Sequence, residues 1–532
     1  MKVEQLFQGV EARIPPGAAS IDVRALAVDS RAAGPGSLFA ALPGVQADGA
    51  SFAAAAVSKG AAAVLAGRAL DLDAPVIVAD KPRLAFSLAA ANFHSRPSEK
   101  LQLVGVTGTN GKTTTAYLVE QLSTARGLRA GLLGTVEVRW PGERIEATHT
   151  TPESHELQAL LARMVAAQVQ IAAMEVSSHA LEQERAAGCR FAAAAFTNLT
   201  RDHLDYHRTM EAYFDAKARL FRELLPAGAP AVINLDDAAG AKLAAELRAA
   251  GRVRVIGFAT NEKRASGFGL QASGQTKADS ADLIAEGLQS GLEGISFQLN
   301  GLQVKSPLIG AHNAENLLTA FGLLVGLGMP LAELVHAAAA AKGAPGRLER
   351  VPDAKGRHVF VDYAHTDDAL ARVLDALVAA AGASAKDVDP ALREAPKADS
   401  KRVIAVFGCG GDRDKGKRPL MGEAAGRRAD LTIATSDNPR TEEPLAILAG
   451  IEPGLARSGR ARLDEAGALR GEAGYVVVAD RRAAIELALQ CARPGDAVLI
   501  AGKGHEPYQI VGTVKHAFDD RLEAARALEQ RK

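Results

Sequence analysis

The chain has 532 residues, which at roughly 150 residues per domain points to about three domains. Nearly half of its residues are apolar, enough to bury real cores, and 62 Lys and Arg balance 62 Asp and Glu. The zero net charge and the lack of a basic stripe argue against a nucleic-acid binder. The scattered Cys189, Cys409 and Cys491 form no metal-ligand or redox spacing and suit a reducing cytoplasm.

From the N-terminus, MKVEQLFQGVEARIPPG has no apolar signal-peptide core. The run AAAAVSKGAAAV reads as helix with a small packing face. Strand-like runs follow in order: APVIVAD, LQLVGVTG, IAAMEVSS, AVINLD, HVFVDYAH, RVIAVFG, LTIATSD and DAVLIAG. They alternate with helical runs, so the fold class is α/β with mainly parallel sheets. Junctions near Ser95–Ser98 and Lys342–Arg347 divide the chain into 1–98, 99–343 and 344–532. Asn261–Asp282 and Ala383–Lys401 read as polar surface insertions, the second a mobile loop. The most apolar stretch, Leu317–Ala332, is interrupted by Gly and Pro and is too short for a membrane span. The expectation is a cytoplasmic protein that is not integral to a membrane.

The strongest local signal is GVTGTNGKTTT, Gly105–Thr115. It follows an apolar strand and opens the helical run AYLVEQLSTARG. Gly108, Thr109, Asn110, Gly111, Lys112, Thr113 and Thr114 then form a phosphate-binding loop. Its backbone N–H groups and helix N-terminus face phosphate oxygens. Lys112 reaches the outer phosphates and Thr113 is placed to ligate Mg²⁺. Val106 stands where the full motif has its first Gly, but the core GTNGKTT is intact. The loop alone fits a kinase, a motor ATPase, a GTPase or a ligase, and no guanine-reading NKxD is present.

Two further residues follow strands of the same region. Glu175 comes after IAAM, and His203 lies in TNLTRDHLDYH after FAAAAFTN. Ligands bind at the carboxyl ends of such strands, so the pair suits Mg²⁺, directly or through water. Taken singly, Glu175 reads better as a surface charge and His203 as a helix-start residue; together, after two strands of one domain, they favour function. Lys217, in the amphipathic EAYFDAKARLF, reads from composition as a solvated lysine.

GTNGKTT, TTPE, MEVSSHALEQER, FTNLTRDHLDYH, the Lys217 helix, GAHNAENLLTA, GAPGRLE, DYAHT, FGCGGDRDKGKR, TSDNPR and AGKGHE occur in that order. This series resembles the Mur ligase family, on its tripeptide-forming, diaminopimelate-adding branch, from about Asp29 to Arg521. The resemblance implies a three-domain architecture: a domain for the UDP moiety, a central P-loop ATPase domain built on a parallel sheet, and a C-terminal Rossmann-like domain. It implies that ATP, Mg²⁺, UDP-N-acetylmuramoyl-L-Ala-D-Glu and meso-diaminopimelate are bound, by a monomer. It implies that Lys217 becomes a carbamate, and so a metal ligand beside Thr113, Glu175 and His203. By the same resemblance Asn313, Arg347 and Asp362 are expected at the ATP site, and Val28, Ser30, Val45, Gln46, Ala47, His149, Thr150, Thr151, Ser177, Gln183 and Arg185 at the UDP-precursor. His149 stands where relatives often carry Asn, and Asp367 where they often carry Pro.

The last domain carries two informative loops. GCGGDR lacks the spacing of a dinucleotide fingerprint and has no partner acid about twenty residues on, which argues against NAD. DNPR, Asp437–Arg440, reads alone as an Asx-Pro turn. In diaminopimelate-adding relatives this loop is DNPR, whereas lysine-adding relatives often have DDPR. An arginine pairs with the extra carboxylate of diaminopimelate, and a neutral Asn avoids repelling it. The resemblance therefore implies an amino-acid site of Arg413, Asp437, Asn438, Pro439, Arg440, Gly502 and Glu506, the last on the distal ammonium. The alternatives are a lysine- or folate-directed sister ligase, and a nucleotide-dependent scaffold that makes no amide.

Overall fold

The computed structural model describes residues 1–44, 48–260, 282–382 and 401–529. Val45, Gln46 and Ala47, most of the Asn261–Asp282 insertion and nearly all of Ala383–Lys401 lie outside these residues. Two compact units are present: Met1–Ile284 with Glu315–Ala337, and Ala285–Ala314 with Ala338–Lys532.

The first unit contains two sheets. β1 (Ala25–Ala27), β2 (Ser37–Ala41), β3 (Ala63–Ala66) and β4 (Val76–Val78) form a parallel sheet in that order. It has its own core, with Leu38, Leu65, Ile77 and Phe86 on one face and Phe39, Val64 and Ala56 on the other. Here the all-helix expectation for AAAAVSKGAAAV is corrected. Helix covers Ala53–Ser58, Gly60 turns the chain at φ 98°, and the second alanine run enters β3. β3 lies between β2 and β4 and is buried throughout, so small residues pack there as strand.

The second sheet of this unit follows the order β12–β11–β10–β5–β9–β6–β7–β8. These are Arg254–Thr260, Pro230–Asn234, Ala193–Phe196, Gln102–Thr107, Ile171–Glu175, Ala130–Leu133, Glu137–Trp140 and Glu143–Glu146. From β12 to β6 all pairs are parallel; β7 and β8 complete an antiparallel edge. The inner strands are apolar because both faces are covered. Register aligns Val106 of β5 with Glu175 of β9, and Thr107 with Phe196 of β10. The phosphate loop, Glu175 and Thr197 thus leave the sheet at one level.

In the second unit an antiparallel meander, β13 (Leu283–Gly291), β14 (Gly294–Leu299) and β15 (Leu302–Ser306), precedes a six-stranded sheet. β13 begins two residues before the unit boundary. The sheet order is β16 (Glu349–Val351), β17 (His358–Asp362), β21 (Ala497–Ala501), β18 (Val403–Cys409), β19 (Leu431–Ser436) and β20 (Gly474–Val477). All neighbours are parallel except β16 with β17. Asp362, the Gly410 turn, the DNPR loop and Gly502 all sit at carboxyl ends of these strands. Among the described residues no helix is long and apolar enough to cross a membrane.

Candidate active site

The helix Lys112–Ala125 starts directly after Gly111, whose φ of 85° turns the loop into it. Two of the loop glycines are required by close approach. A Cβ at Gly108 would lie 1.9 Å from Thr197 Oγ1, and one at Gly111 would lie 2.5 Å from Asn316 Oδ1. Neighbouring segments pin the loop: Asn110 N–H donates to Asn198 Oδ1 at 2.9 Å, and Thr197 Oγ1 donates to Asn110 O at 2.6 Å. The first helical N–H groups are thereby presented as an anion cradle.

Lys112 folds over its own loop, with Nζ donating to Gly108 O at 3.0 Å and Thr109 O at 2.9 Å. Lys217 reaches the same carbonyl from another helix: its Nζ is 2.8 Å from Gly108 O. That helix, Met210–Arg219, is capped by Thr209 and turns Tyr213, Phe214, Ala216 and Lys217 inward. Lys217 is 1 % exposed, so its reading as a solvated lysine is corrected. Burial, and then the nearby charge of Lys112, hold its amine well below the usual lysine range.

Glu175 is fully buried at the end of β9. Its Oε2 accepts from Thr113 Oγ1 at 2.9 Å, and its Oε1 from Thr135 N–H at 2.8 Å. The Thr135 hydroxyl lies 3.0 Å from Glu175 Oε2 and 3.0 Å from Thr150 Oγ1. Thr151 Oγ1 donates to the Glu175 carbonyl at 2.8 Å and accepts from Ser177 N–H at 3.1 Å. Ser177 in turn caps the short helix Ser178–Glu182. His203 is half-exposed, in left-handed backbone at φ 51°, and its ring meets those of His179 at 4.9 Å and Tyr213 at 6.0 Å. The Tyr213 ring also lies 4.5 Å from Lys217 Nζ, and its hydroxyl 3.2 Å from Thr109 Oγ1.

A hydroxyl, a buried carboxylate and an imidazole are donors that suit a hard divalent cation. An ammonium at Lys217 does not; a carbamate does. Among the described residues no three His, Cys, Asp or Glu side chains cluster for a metal, so the fit depends on Thr113 and Lys217 as well.

The residues expected at the UDP-precursor are less alike. Val28 packs against the N-terminal core, and Ser30 O accepts from Lys59 Nζ at 3.0 Å. His149 is exposed, its Nδ1 3.2 Å from Thr148 Oγ1. Arg185 is already engaged: it donates to Gln183 Oε1 at 3.1 and 2.7 Å, donates to Thr151 O at 3.1 Å, and pairs with Glu153 at 2.9 Å. A substrate anion would have to replace one of these partners.

In the second unit, Asp362 is buried at the end of β17. Its carboxylate accepts from Leu348 N–H at 2.7 Å and Ala364 N–H at 2.8 Å. Burial pushes its pKa up, against the pull of Arg347. Arg347 lies over the Tyr363 ring at 5.2 Å, and Asn313 Nδ2 donates to Ile309 O at 2.7 Å. Arg413 is exposed on the Gly turn after β18. Arg440, at φ 51°, donates through Nη1 to Gly411 O at 2.8 Å. A Cβ at Gly411 would lie 1.8 Å from Pro439 O, so the two loops meet only because Gly stands there. Asn438 Nδ2 donates to Glu506 Oε2 at 3.1 Å. Gly502 adopts φ 118° and faces Asp437.

Models for three parts of one family match the chain in order: the Mur ligase family, catalytic domain at 22–96, the Mur ligase middle domain at 106–324, and the Mur ligase, glutamate ligase domain at 378–504. A protein of Prochlorococcus marinus (strain MIT 9313) is 44% identical over 99% of each chain; its name is UDP-N-acetylmuramoyl-L-alanyl-D-glutamate--2,6-diaminopimelate ligase. A Geobacter metallireducens protein of the same name is 42% identical over 100% of this chain and 99% of its own. The chain belongs to the Mur ligase family. A solved structure of a ligase of that name, 34% identical, superposes with a TM-score of 0.69 and covers 100% of this chain and 99% of that one.

In this Mur ligase the fold brings Lys112 to Lys217, Thr113 to Glu175, and Thr150, Thr151 and Ser177 around Glu175. It also brings Asn438 to Glu506. Sequence reasoning missed Thr135, Tyr213, His179 and Lys503. Thr135 carried no motif signal, and Tyr213 lay in the quoted Lys217 helix without being singled out. His179 and Lys503 lay inside quoted motifs, MEVSSHALEQER and AGKGHE, and their contacts with the named residues were not visible.

Proposed function

We propose that this chain is an ATP-dependent ligase that joins meso-2,6-diaminopimelate to the D-Glu γ-carboxylate of UDP-N-acetylmuramoyl-L-Ala-D-Glu, in cytoplasmic peptidoglycan synthesis. The observation that carries this is likeness along the whole chain, at 41 to 44%, to proteins with that name. The DNPR loop, packed on Glu506, supports the same amino acid. We further propose domains at 1–98, 99–343 and 344–532, action as a monomer, and the site residues given above in the roles their motifs imply.

A carboxylate is a poor acyl donor to an amine at neutral pH, so it is activated first. A γ-carboxylate oxygen attacks the γ-phosphorus of ATP and ADP leaves. The amine of diaminopimelate then attacks the acyl carbon and gives up a proton, the amide forms, and phosphate leaves with the bridging oxygen of the former carboxylate. The cradle at Gly108–Thr114 and Lys112 hold the phosphates and offset charge that grows on the transferring group. Thr113, Glu175, His203 and the carbamate of Lys217 would hold Mg²⁺, which would supply further charge neutralisation when bound. Lys217 suits carbamylation because burial, and then the Lys112 ammonium on the same carbonyl, favour its neutral amine. A neutral amine adds CO₂, forms an N–C bond and releases a proton.

Phosphate release is the test. It should require both the UDP-dipeptide and diaminopimelate, and lysine should replace diaminopimelate poorly. Equal turnover with lysine overturns the amino-acid assignment, and nucleotide binding without any amide product favours a scaffold.

A further inference from the structure

The DNPR loop and the Gly502–Glu506 turn meet on one side chain that is in neither group of assigned residues. Lys503 is 0 % exposed. Gly502 at φ 118° and Gly504 at φ 54° bracket it and turn it inward. Gly504 packs on Tyr363 so closely that a Cβ there would lie 2.7 Å from the Tyr363 Cβ. Lys503 Nζ donates to Asn438 Oδ1 at 3.2 Å and to Glu506 Oε2 at 3.4 Å, and stands 3.7 Å from Asp437 Oδ1. The Tyr508 ring lies 5.6 Å away.

Glu506 Oε2 thus takes two donors, Lys503 Nζ and Asn438 Nδ2. Among the described residues Asp437 Oδ1 is buried without a hydrogen-bond partner, so Lys503 is its near counter-charge. The other buried cation nearby, Arg481, is bonded through Nε and Nη2 to both oxygens of Asp520. Asp437 and Glu506 against Lys503 leave one negative charge in excess, which complements a ligand ammonium. Asn438 closes the arrangement: its Oδ1 also accepts from Ile510 N–H at 2.8 Å. An Asp there would set a second carboxylate against Glu506 where the Asn now donates.

We infer that Lys503 is a positioning residue of the amino-acid site: with Asn438 it fixes the Glu506 carboxylate in the orientation that receives the distal ammonium of the incoming amino acid. This rests on the reading of Glu506 given above. It also gives Asn438 a second part in selectivity, through Glu506 as well as through the substrate carboxylate.

The experiment is a double-mutant cycle on kcat/KM for diaminopimelate, with ATP and the UDP-dipeptide saturating. Wild type, Lys503→Met, Glu506→Gln and the double variant are compared. Each single change should raise the KM for diaminopimelate about tenfold or more, with the KM for ATP within about twofold. The double variant should be about as impaired as the worse single one, because Lys503 acts through Glu506. Losses that multiply, or an unchanged KM for diaminopimelate in Lys503→Met, overturn the inference. If Lys503→Met does not fold, Lys503→Gln takes its place in the cycle; it removes the charge while keeping a polar side chain in the buried space, and multiplying losses there overturn the inference equally. No diaminopimelate-dependent turnover in wild type overturns the proposed function and this inference together. Multiplying losses in an active enzyme overturn this inference alone.

Discussion

Among the described residues two lysines are buried, one in each unit, and their surroundings are opposite. Lys217 has a backbone carbonyl, an aromatic face and another lysine. Lys503 has an amide and two carboxylates within 3.7 Å. Both are about equally hidden from water. Burial alone therefore assigns no role. The partners differ: those of the first disfavour its charged form, and those of the second include two carboxylates that pair with it.

That contrast breaks most visibly in the first unit. Lys112→Ala should lower turnover by about a thousandfold while circular dichroism stays unchanged. Near-normal phosphate release would remove the phosphate-loop assignment. Lys217→Ala should also be inactive, with partial rescue by short carboxylic acids that fill the vacated space. With ¹³C-bicarbonate, wild type should give a carbamate resonance that Lys217→Ala lacks and that disappears on acidification. The sign follows from the depressed pKa. In the unmodified chain the cost of the buried charge is present below the folded pKa and is relieved as pH rises from there to the unfolded value. Carbamylation needs the neutral amine, so it grows in the same direction. A carbamate signal that strengthens in acid would contradict the assignment.

The parts of this site that were legible in sequence are the local ones. The eight strands expected from apolar runs all form, and GTNGKTT is a contiguous cradle before a helix. What local pattern alone did not give spans long stretches of the chain, and the resemblance was needed to set Lys217 beside Thr113 and Glu175. Thr113 and Glu175 are 62 residues apart, Lys217 and Gly108 are 109 apart, and Asn438 and Lys503, a pair that nothing in the sequence suggested, are 65 apart. Lysine is a surface residue by type, so only the fold reveals these two as buried. The edge strands β7 and β8 escaped notice because EVRW and ERIE are rich in charge. The structure satisfies that charge locally, with buried Glu137 accepting from Tyr117 and Arg139. In AAAAVSKGAAAV, alanine suits either state, and position in a buried sheet decided for strand.

A sharper test of the second unit uses Arg440. Its guanidinium is always charged, and the DNPR loop holds it beside the Gly turn. Losing one buried, charge-paired contact costs about 2–5 kcal/mol, so Arg440→Ala should reduce diaminopimelate use about thirtyfold or more. Lysine lacks the carboxylate and should lose far less. Asn438→Asp should act in the same direction, through repulsion of both the substrate and Glu506. The measurement is kcat/KM for both amino acids. Equal losses for the two, or a rise only in the KM for ATP, would leave the loop without a part in selectivity.

The smallest effect concerns the scaffold under that loop. Glu442 Oε1 accepts from Arg418 Nη2 at 2.8 Å and from Asp412 N–H at 2.7 Å, and so ties the Gly turn to the segment after DNPR. The Arg418 bond, and then the Asp412 N–H, lower the Glu442 pKa from 4.5 to about 2. A carboxyl lowered in the folded state contributes stability that is complete above its unfolded pKa and is lost as pH falls toward the folded one. The window is therefore about pH 4.5 down to about 2. Glu442→Gln keeps the shape and removes the charge. Its melting temperature should lie slightly below wild type at neutral pH, and the gap should close through that window as the wild-type carboxylate takes up its proton. Many other carboxylates titrate over the same range, so the difference between the two proteins, not either curve alone, carries the result. A gap that stayed constant down to pH 2 would mean that Glu442 acts by shape and not by charge. The turn bearing Arg413 would then be held by its glycines and by Thr441, whose N–H bonds Asp412 Oδ2 at 3.1 Å.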